Sequence, residues 1–286
     1  MSDLGETRFG PRTFRWGERT YVMGILNVTP DSFSGDGLLG GPPGAVEAAV
    51  GQALRMSGEG ADLLDVGGES TRPGHLTVDD AEEIRRAIPV VAAVRAALPQ
   101  MPITIDSTKP VVIEAALDAG ANAINDIWGV GDDDTRARIA AQRGVPLILM
   151  HNRAEARYDR LVPEVLDDLS RALDRARRAG VPNANLLVDP GIGFGKTAEQ
   201  NLQLLGRLAE LRSLGRPILL GTSRKSTLGK VLDLPVTERV EATIATTALG
   251  IAAGVDMVRV HDVRENVRAA RIADAIVRGG WREGGA

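Results

Sequence analysis

The stretch Leu187-Val-Asp189-Pro-Gly-Ile-Gly-Phe-Gly-Lys-Thr197 contains a pattern that recurs along the whole chain. Apolar residues lead into Asp189, a proline and three glycines then turn the chain sharply, and Thr197 precedes a helical pattern as an N-cap residue. A carboxylate at the end of a buried strand, followed by glycines, is typical of a loop that faces a ligand. Asp189 is explained equally well as the cap of the turn. The stretch therefore predicts a strand, a loop and a helix, and it leaves the role of Asp189 open.

The same succession of a short apolar run and a helical pattern continues in both directions along the chain. The predicted strands cover residues 22–28, 61–66, 102–106, 123–127, 145–150, 185–189, 217–221 and 256–260. The predicted helices cover residues 44–57, 78–98, 110–119, 133–142, 163–179, 198–213, a region that extends to about 254, and 263–278. Glycines stand where a left-handed residue would end a helix, at positions 60, 120, 144, 180 and 254.

These units predict the fold class. Strict alternation of strands and helices favours a parallel sheet, and about eight units in close to 250 residues are typical of a TIM (β/α)8 barrel. An open doubly wound sheet is the main alternative, but no Gly-x-Gly-x-x-Gly follows the first strand. Residues 13–22 predict a short N-terminal β-hairpin that turns at Gly17-Glu18. We therefore expect a single α/β barrel domain over residues 1–286, with its core at about 20–279.

Composition and charge exclude several classes of function. The net charge of −4 argues against a nucleic-acid partner, and the absence of cysteine excludes disulfides, thiolate metal sites and cysteine nucleophiles. No apolar run approaches the roughly 20 residues of a membrane span, so we expect no membrane partner. The polar first residues lack the apolar segment of a signal peptide. A cytoplasmic location is the resulting expectation.

Polar residues stand at or directly after nearly every predicted strand, where a barrel builds its active site. Burying so many polar groups costs several kcal/mol unless they meet one another or a ligand. Any one of them has a structural explanation, but together they predict a polar ligand in the barrel mouth. They include Asn27, Asp106, Asn125, His151, Asp189, Ser223, Arg259 and His261.

Two kinds of chemistry can be distinguished among these residues. Asp106, Asn125, Asp189 and Lys225 suit a flat heterocycle with an amidine-like edge, because a carboxylate accepts two adjacent N–H groups. Lys225 would donate to a ring carbonyl on the opposite side.

The first and last strands supply a second group of residues, which become neighbours when a barrel closes. Asn27, Arg259 and His261 would bind an anion such as phosphate, together with Ser70, Thr71 and Arg72 of the second loop. Asn27 could reach that anion through Mg²⁺, which prefers oxygen ligands.

Less specific explanations stay open for two of these residues. Arg259 could form a salt bridge with Asp256 or Asp262. His151 is explained better as a buried histidine than as a catalytic one.

In these motifs the chain resembles the dihydropteroate synthases, a family of pterin-binding barrels. The matching segments follow the order of the family, and the first two are long and specific. They are residues 23–34, 65–74, 105–109, 124–127, 149–151, 189–196, 223–225 and 259–262. The departures are small: residues 34–37 read Ser-Gly-Asp-Gly, and the bulky Trp128 follows the fourth strand.

The resemblance implies a reaction and a set of residue roles. The enzymes condense 6-hydroxymethyl-7,8-dihydropterin diphosphate with 4-aminobenzoate, using Mg²⁺, by an SN1-like route that gives 7,8-dihydropteroate and diphosphate. A homodimer through outer helices is implied as well. The implied pterin contacts are Asp106, Asn125, Asp189, Lys225 and Arg259. The implied diphosphate contacts are Asn27, Thr71, Arg259 and His261, with Asn27 also the metal ligand. The implied 4-aminobenzoate contacts are Phe33, Arg72, Pro73, Phe194, Lys225 and Ser226. The implied catalytic residues are Asn27, Asp106, Lys225, Arg259 and His261.

The residues themselves agree with a mechanism that begins with ionisation. The sequence shows no Ser-His-Asp or Cys-His pair that would supply a nucleophile. Ionisation needs instead groups that stabilise the leaving group and the cation. Loops at residues 31–37 and 70–74 would close over the site and exclude water. Two other hypotheses stay open. One is a silent paralogue that binds pterin without turnover, and the other is a methyltransferase domain for methyltetrahydrofolate and a corrinoid protein.

Overall fold

The computed structural model describes residues 4–28, 44–69, 78–279 and 281. Within these residues a parallel sheet of eight strands runs in the order β8-β7-β6-β5-β4-β3-β10-β9. A parallel bridge between Val188 and Ile218 joins its two outer strands, so the sheet closes into the predicted barrel. The strands are β3 Tyr21–Asn27, β4 Leu63–Gly67, β5 Ile103–Asp106, β6 Ala123–Asp126, β7 Leu147–Met150, β8 Leu186–Asp189, β9 Leu219–Leu220 and β10 Met257–Val260.

Helices follow the strands and cover the outside of the barrel. Asp79 caps α2 by accepting a hydrogen bond from Glu82 N, and Thr197 forms a capping box with Gln200 at α6. The predicted terminating glycines at 60, 120, 144, 180 and 254 all have positive φ. The helices are α1 Ala45–Gly58, α2 Asp80–Ala97, α3 Pro110–Asp118, α4 Thr135–Arg143, α5 Leu161–Arg178, α6 Ala198–Leu205, α7 Ser226–Leu232, α8 Val240–Ala252 and α9 Val263–Val277. None of the helices within the described ranges combines the length and apolar character needed to cross a membrane.

Two predicted elements have wrong boundaries. The predicted helix at 198–213 ends at Leu205, and a 3₁₀ segment, Leu208–Leu214, follows it. Leu208 and Leu211 are both buried, and a spacing of three residues keeps them on one face of a 3₁₀ helix. The predicted helical region that ends near 254 contains two helices, α7 and α8, separated by a 3₁₀ turn at Val236–Glu238.

The N-terminal hairpin exists, but the prediction placed it wrongly. It pairs β1 Glu6–Phe9 with β2 Arg12–Arg15, whereas Gly17-Glu18 belongs to the turn before β3. The aromatic side chains of Phe9, Phe14 and Trp16 explain the true register, because they are buried together at the lower end of the barrel interior. The hairpin therefore closes the barrel opposite the ends of the strands that carry the polar residues.

The barrel interior has an apolar layer with a polar layer directly above it. Side chains two residues apart on a strand point to the same face, so on four strands a residue of the apolar layer is followed by a polar one pointing inward. The pairs are Leu63 and Asp65, Ala123 and Asn125, Leu187 and Asp189, and Met257 and Arg259. The fold thus places several sequence-predicted residues in one polar layer at the barrel mouth.

Candidate active site

The register of β3 to β6 aligns three predicted site residues across neighbouring strands. Asn27 pairs with Gly67, Gly67 with Asp106, and Asp106 with Asn125. A methyl group at Gly67 would lie 3.5 Å from Asp106 Cβ and 3.8 Å from Asn27 Oδ1. Gly67 therefore leaves open space between the two side chains that flank it.

Arg259 crosses the barrel to a pair of carboxylates at the centre of the polar layer. Its Nε donates to Asp65 Oδ2 at 2.6 Å and its Nη2 donates to Asp106 Oδ2 at 2.7 Å. Asp65 is fully buried and also accepts hydrogen bonds from Asn125 Nδ2, at 3.0 Å, and from the hydroxyl of Thr104. Asp65 therefore holds both Arg259 and Asn125 in fixed orientations.

These contacts exclude the salt bridges to Asp256 or Asp262 that the sequence left open for Arg259. Asp256 accepts instead from Ile218 N at 3.0 Å, and Asp262 pairs with Arg224 through Nε at 3.0 Å and Nη2 at 2.6 Å. Burial opposes the charge of Arg259, but the facing carboxylates, Asp65 first among them, raise its pKa above the ordinary value. The guanidinium therefore stays charged in the barrel.

Two buried oxygens beside this network have no partner within the described structure. They are Asp106 Oδ1 and Asn125 Oδ1, on residues that pair across β5 and β6. Burial raises the pKa of Asp106 to about 7, although Arg259 opposes the shift. A buried acceptor left without a donor costs about 1–3 kcal/mol, so this edge of the site is suited to N–H groups of a ligand.

Asp189 caps its turn with one carboxylate oxygen and turns the other toward the barrel interior. Its Oδ1 accepts from Gly191 N at 2.7 Å and so caps the turn. Its other oxygen faces the barrel axis, since a methyl group at Gly221 would lie 3.8 Å from Asp189 Oδ2 and equally far from Arg259 Cβ. Burial raises the pKa of Asp189, opposed by Lys225 and the bond from Gly191.

Lys225 lies between Asp189 and the glycine-rich loop at residues 190–197. Its ammonium group donates to the carbonyl of Ile192 and lies 4.3 Å from the ring centre of Phe194. Burial lowers its pKa to about 8, although Asp189 opposes that shift. Ser226, the first residue of α7, follows it at the exposed rim.

His261 is oriented by Ser223 at the end of the neighbouring strand. The hydroxyl oxygen of Ser223 accepts from His261 N at 3.1 Å and lies 2.9 Å from His261 Nδ1. The arrangement brings His261 to the barrel rim beside the β9 loop.

Comparison with known proteins gives this site a family. A family profile described as a pterin binding enzyme matches residues 23–261. The dihydropteroate synthase of Clostridium beijerinckii is 50% identical over 272 residues, which cover 95% of this chain and 99% of that protein.

The chain belongs to the dihydropteroate synthase family.

Solved structures of dihydropteroate synthases share the fold. The enzyme from Clostridium difficile, determined in the presence of pteroic acid, has a TM-score of 0.88 at 48% identity and covers 93% of this chain and 99% of its own. The enzyme from Xanthomonas albilineans in complex with 7,8-dihydropteroate has a TM-score of 0.85 at 40% identity, with coverage of 95% and 98%. As a dihydropteroate synthase, the chain is an enzyme of folate biosynthesis.

Some residues implied by the likeness to dihydropteroate synthases lie outside the described part of the chain. They are Phe33, Thr71, Arg72 and Pro73, and the predicted closing loops at 31–37 and 70–74 lie there too. Their roles stay predictions.

The sequence patterns assigned no role to Asp65 or to Lys196. Asp65 had a usable signal, because a charged residue two positions before Gly67 on an apolar strand points inward with it. Lys196 stands after a glycine-rich loop, where a lysine is commonly exposed, and its contacts depend on residues distant in the sequence.

Proposed function

We propose that this dihydropteroate synthase joins 6-hydroxymethyl-7,8-dihydropterin diphosphate to 4-aminobenzoate by an SN1-like mechanism. The products are 7,8-dihydropteroate and diphosphate. The observation that carries the proposal is the pair of unpartnered oxygens, Asp106 Oδ1 and Asn125 Oδ1, buried beside Arg259. The relatives determined with pteroic acid and with 7,8-dihydropteroate support the same substrate class.

The pterin would bind in the polar layer of the barrel. Its ring and exocyclic N–H groups would donate to the free oxygens of Asp106 and Asn125 and to the inward-facing oxygen of Asp189. Lys225 would donate to the ring carbonyl, exchanging its bond to the carbonyl of Ile192 for one to the ligand. Each buried acceptor would then have a donor, which fixes the orientation of the ring.

Ionisation would break the bond between the pterin methylene carbon and the diphosphate oxygen, and the electron pair would leave with diphosphate. Two N–H groups of Arg259 bond to Asp65 and Asp106, and its remaining N–H groups can donate to the departing oxygens. His261 and Asn27 would bind the same anion. The carboxylates of Asp106 and Asp189 would stabilise the delocalised cation that remains, so this site favours charge separation.

The amine nitrogen of 4-aminobenzoate would then form a bond to the methylene carbon and lose one proton. Phe194 and Ser226 would contact this second substrate, with Lys225 between the two binding sites. A lysine that meets both substrates couples the position of the amine to that of the pterin. Phe33, Arg72 and Pro73, outside the described residues, complete the proposed pocket.

Mg²⁺ belongs to the proposal, with Asn27 as its ligand. Among the described residues, no group of three or more His, Cys, Asp or Glu side chains could hold a metal ion. A single amide oxygen at the end of β3 fits an ion that keeps several waters and is bound mainly through substrate phosphates. When bound, Mg²⁺ would offset the charge of the leaving diphosphate.

The experiment is to measure release of diphosphate and formation of dihydropteroate by the purified protein with Mg²⁺ and both substrates. We expect both products, and we expect Arg259→Ala to lower the rate at least 10²-fold. The matched control is Arg264→Ala, because the Arg264 side chain is 58% exposed and pairs with Glu265 on the same helix. Pterin binding without turnover would indicate a silent paralogue and contradict the proposal. Diphosphate release without 4-aminobenzoate would place ionisation before attack.

We also propose that the protein forms a homodimer through its outer helices. Large apolar side chains are exposed on α8 and α9, namely Leu249 at 69%, Ile272 at 66% and Ile276 at 78%. Light scattering on the purified protein should give twice the 30.3 kDa mass of one chain, and the mass of a single chain would contradict the proposal.

The cytoplasmic location predicted from the sequence is proposed as well, and cell fractionation tests it.

A further inference from the structure

A lysine that the proposed reaction does not use, Lys196, belongs to the loop between β8 and α6. Lys196 Nζ donates to the carbonyl oxygens of Gly191 and Phe194, both at 3.0 Å. It also lies 2.9 Å from His151 Nδ1, on the loop that follows β7. The ammonium group therefore links the two ends of one loop to the loop beside it.

The neighbouring residues determine which ring nitrogen of His151 accepts a hydrogen bond from Lys196. His151 is fully buried, and its Nε2 lies 3.1 Å from Asp168 Oδ2 on α5. Burial opposes the charge of Asp168, but hydrogen bonds from His151 and Arg153 hold its pKa below the usual range. An ionised carboxylate accepts the Nε2 proton, so Nδ1 carries the lone pair. Each of the three ammonium protons of Lys196 then has its own acceptor.

The loop held by Lys196 is tightly folded and has little room to shift toward its neighbour. Gly191 and Gly195 have φ of +67° and +55°. Methyl groups there would lie 1.8 Å from the carbonyl oxygen of His151 and 2.2 Å from that of Arg153. The backbone of this loop therefore rests directly on the loop after β7.

The opposite side of the same loop faces the proposed second-substrate pocket. It carries the carbonyl of Ile192, which accepts from Lys225, and the ring of Phe194, beneath the Lys225 ammonium group. Two of the three acceptors proposed for the pterin, Asp106 and Asn125, are on β5 and β6 and are held by Asp65 and Arg259 instead. Lys196 thus holds the loop that carries Phe194, whereas Asp106 and Asn125 are held by other residues.

We propose that Lys196 is a positioning residue that determines the affinity for 4-aminobenzoate by holding Phe194 and Ile192 in place against Lys225. The inference rests on the proposed function, because it assigns the Phe194 side of the site to 4-aminobenzoate. Without the ammonium group, two loop carbonyls lose their donor and the ring of Phe194 leaves its fixed position. Asp106 and Asn125 keep their bonds to Arg259 and Asp65, so the affinity for the pterin changes less.

The test compares Lys196→Met with Lys230→Met, a matched change at an exposed lysine on α7. Methionine keeps an unbranched side chain of similar length and has no N–H donor. We expect the KM for 4-aminobenzoate to rise about tenfold in Lys196→Met, as loss of a charged hydrogen bond predicts, while the KM for dihydropterin diphosphate changes less than threefold. Both constants should stay within twofold of the wild type in Lys230→Met.

A purely structural role would give a different result. It would lower the folded fraction, and with it the apparent kcat, and leave both KM values unchanged, which would overturn the inference. Should circular dichroism show Lys196→Met to be unfolded, Lys196→Gln takes its place, because its amide has two N–H donors for three acceptors and so leaves at least one of them without a partner. A rise of at least threefold in the KM for 4-aminobenzoate supports the inference in that variant, and an unchanged KM overturns it.

An inactive wild type contradicts the proposed function, and the inference fails with it. An active wild type with an unchanged KM in the variants contradicts the inference alone.

Discussion

Replacing Asp65 by asparagine removes one negative charge from the centre of the polar layer while keeping the shape of the side chain. Asp65 accepts from Arg259 Nε at 2.6 Å, from Asn125 Nδ2 at 3.0 Å and from the hydroxyl of Thr104. The NH₂ group of asparagine donates, so it would face a donor that now has no acceptor. The variant therefore breaks a buried ion pair and leaves a buried donor unsatisfied.

The loss of stability can be worked out from these contacts. Removing one partner of a buried ion pair costs about 3–5 kcal/mol. Asp106 still accepts from Arg259 Nη2 at 2.7 Å, so we expect the lower end of that range, about 3 kcal/mol. At about 2–4 °C per kcal/mol for a domain of this size, the Tm should fall by about 6–12 °C.

The same change should also reduce activity, because Arg259 and Asn125 lose the group that orients them. A displacement of about 1 Å at a reacting group lowers rates by about 10²-fold, and we expect this loss in kcat/KM. Thermal unfolding by circular dichroism gives the Tm, and diphosphate release at a temperature where the variant is folded gives kcat/KM.

Asp118→Asn is the control, because Asp118 pairs with Arg143 at the surface and its side chain is 69% exposed. Its Tm and kcat/KM should match the wild type, since an exposed pair contributes about 0–1 kcal/mol. A Tm shift below about 2 °C in Asp65→Asn would refute the stability argument, because it corresponds to less than about 1 kcal/mol. A large Tm shift with unchanged kcat/KM would refute the orienting role of Asp65.

Three further predictions concern pH, the glycine-rich loop and the hairpin. The kcat/KM for dihydropterin diphosphate should rise as Asp106 ionises through about pH 7. It should fall again as Lys225 loses its proton through about pH 8. A flat profile from pH 6 to 9 would contradict this prediction. Gly191→Ala should lower the Tm and raise the KM for 4-aminobenzoate, because its methyl group would lie 1.8 Å from the carbonyl oxygen of His151; an unchanged Tm would show that the loop adapts. Phe14→Ala should lower the free energy of unfolding in urea by about 3–5 kcal/mol without changing either KM, and altered KM values would show that the closed end of the barrel communicates with the mouth.

The architecture was predictable from the sequence because its determinants are local. Alternation of apolar runs and helical patterns, with glycines at helix ends, predicts units of one strand and one helix, and their number favours a barrel. The capping residue Thr197 acts within three residues of its own position, so its role could be predicted and is confirmed. The convergence of Asp106, Asn125 and Asp189 followed from the rule that a barrel builds its site at the carboxyl ends of its strands.

Elements that depend on distant contacts were not predictable in the same way. The hairpin register is determined by Phe9, Phe14 and Trp16 packing under the barrel, and the local turn signal at Gly17-Glu18 indicated a different one. The helix expected at 198–213 ends at Leu205, and Leu208 and Leu211 of the following 3₁₀ segment join the core shared with the barrel. In both places tertiary packing outweighs local propensity.

The sequence by itself determined the succession of strands and helices and the polar character of the strand ends. Only the tertiary structure decided how those polar groups pair. The Asp189 carboxylate both caps its turn and faces the barrel axis, which no local pattern distinguishes. Arg259 pairs with Asp65, 194 residues earlier in the chain, because closing the barrel places β10 and β4 on either side of β3. A charge chooses its partner by distance in space and by burial, and neither is known until the chain has folded.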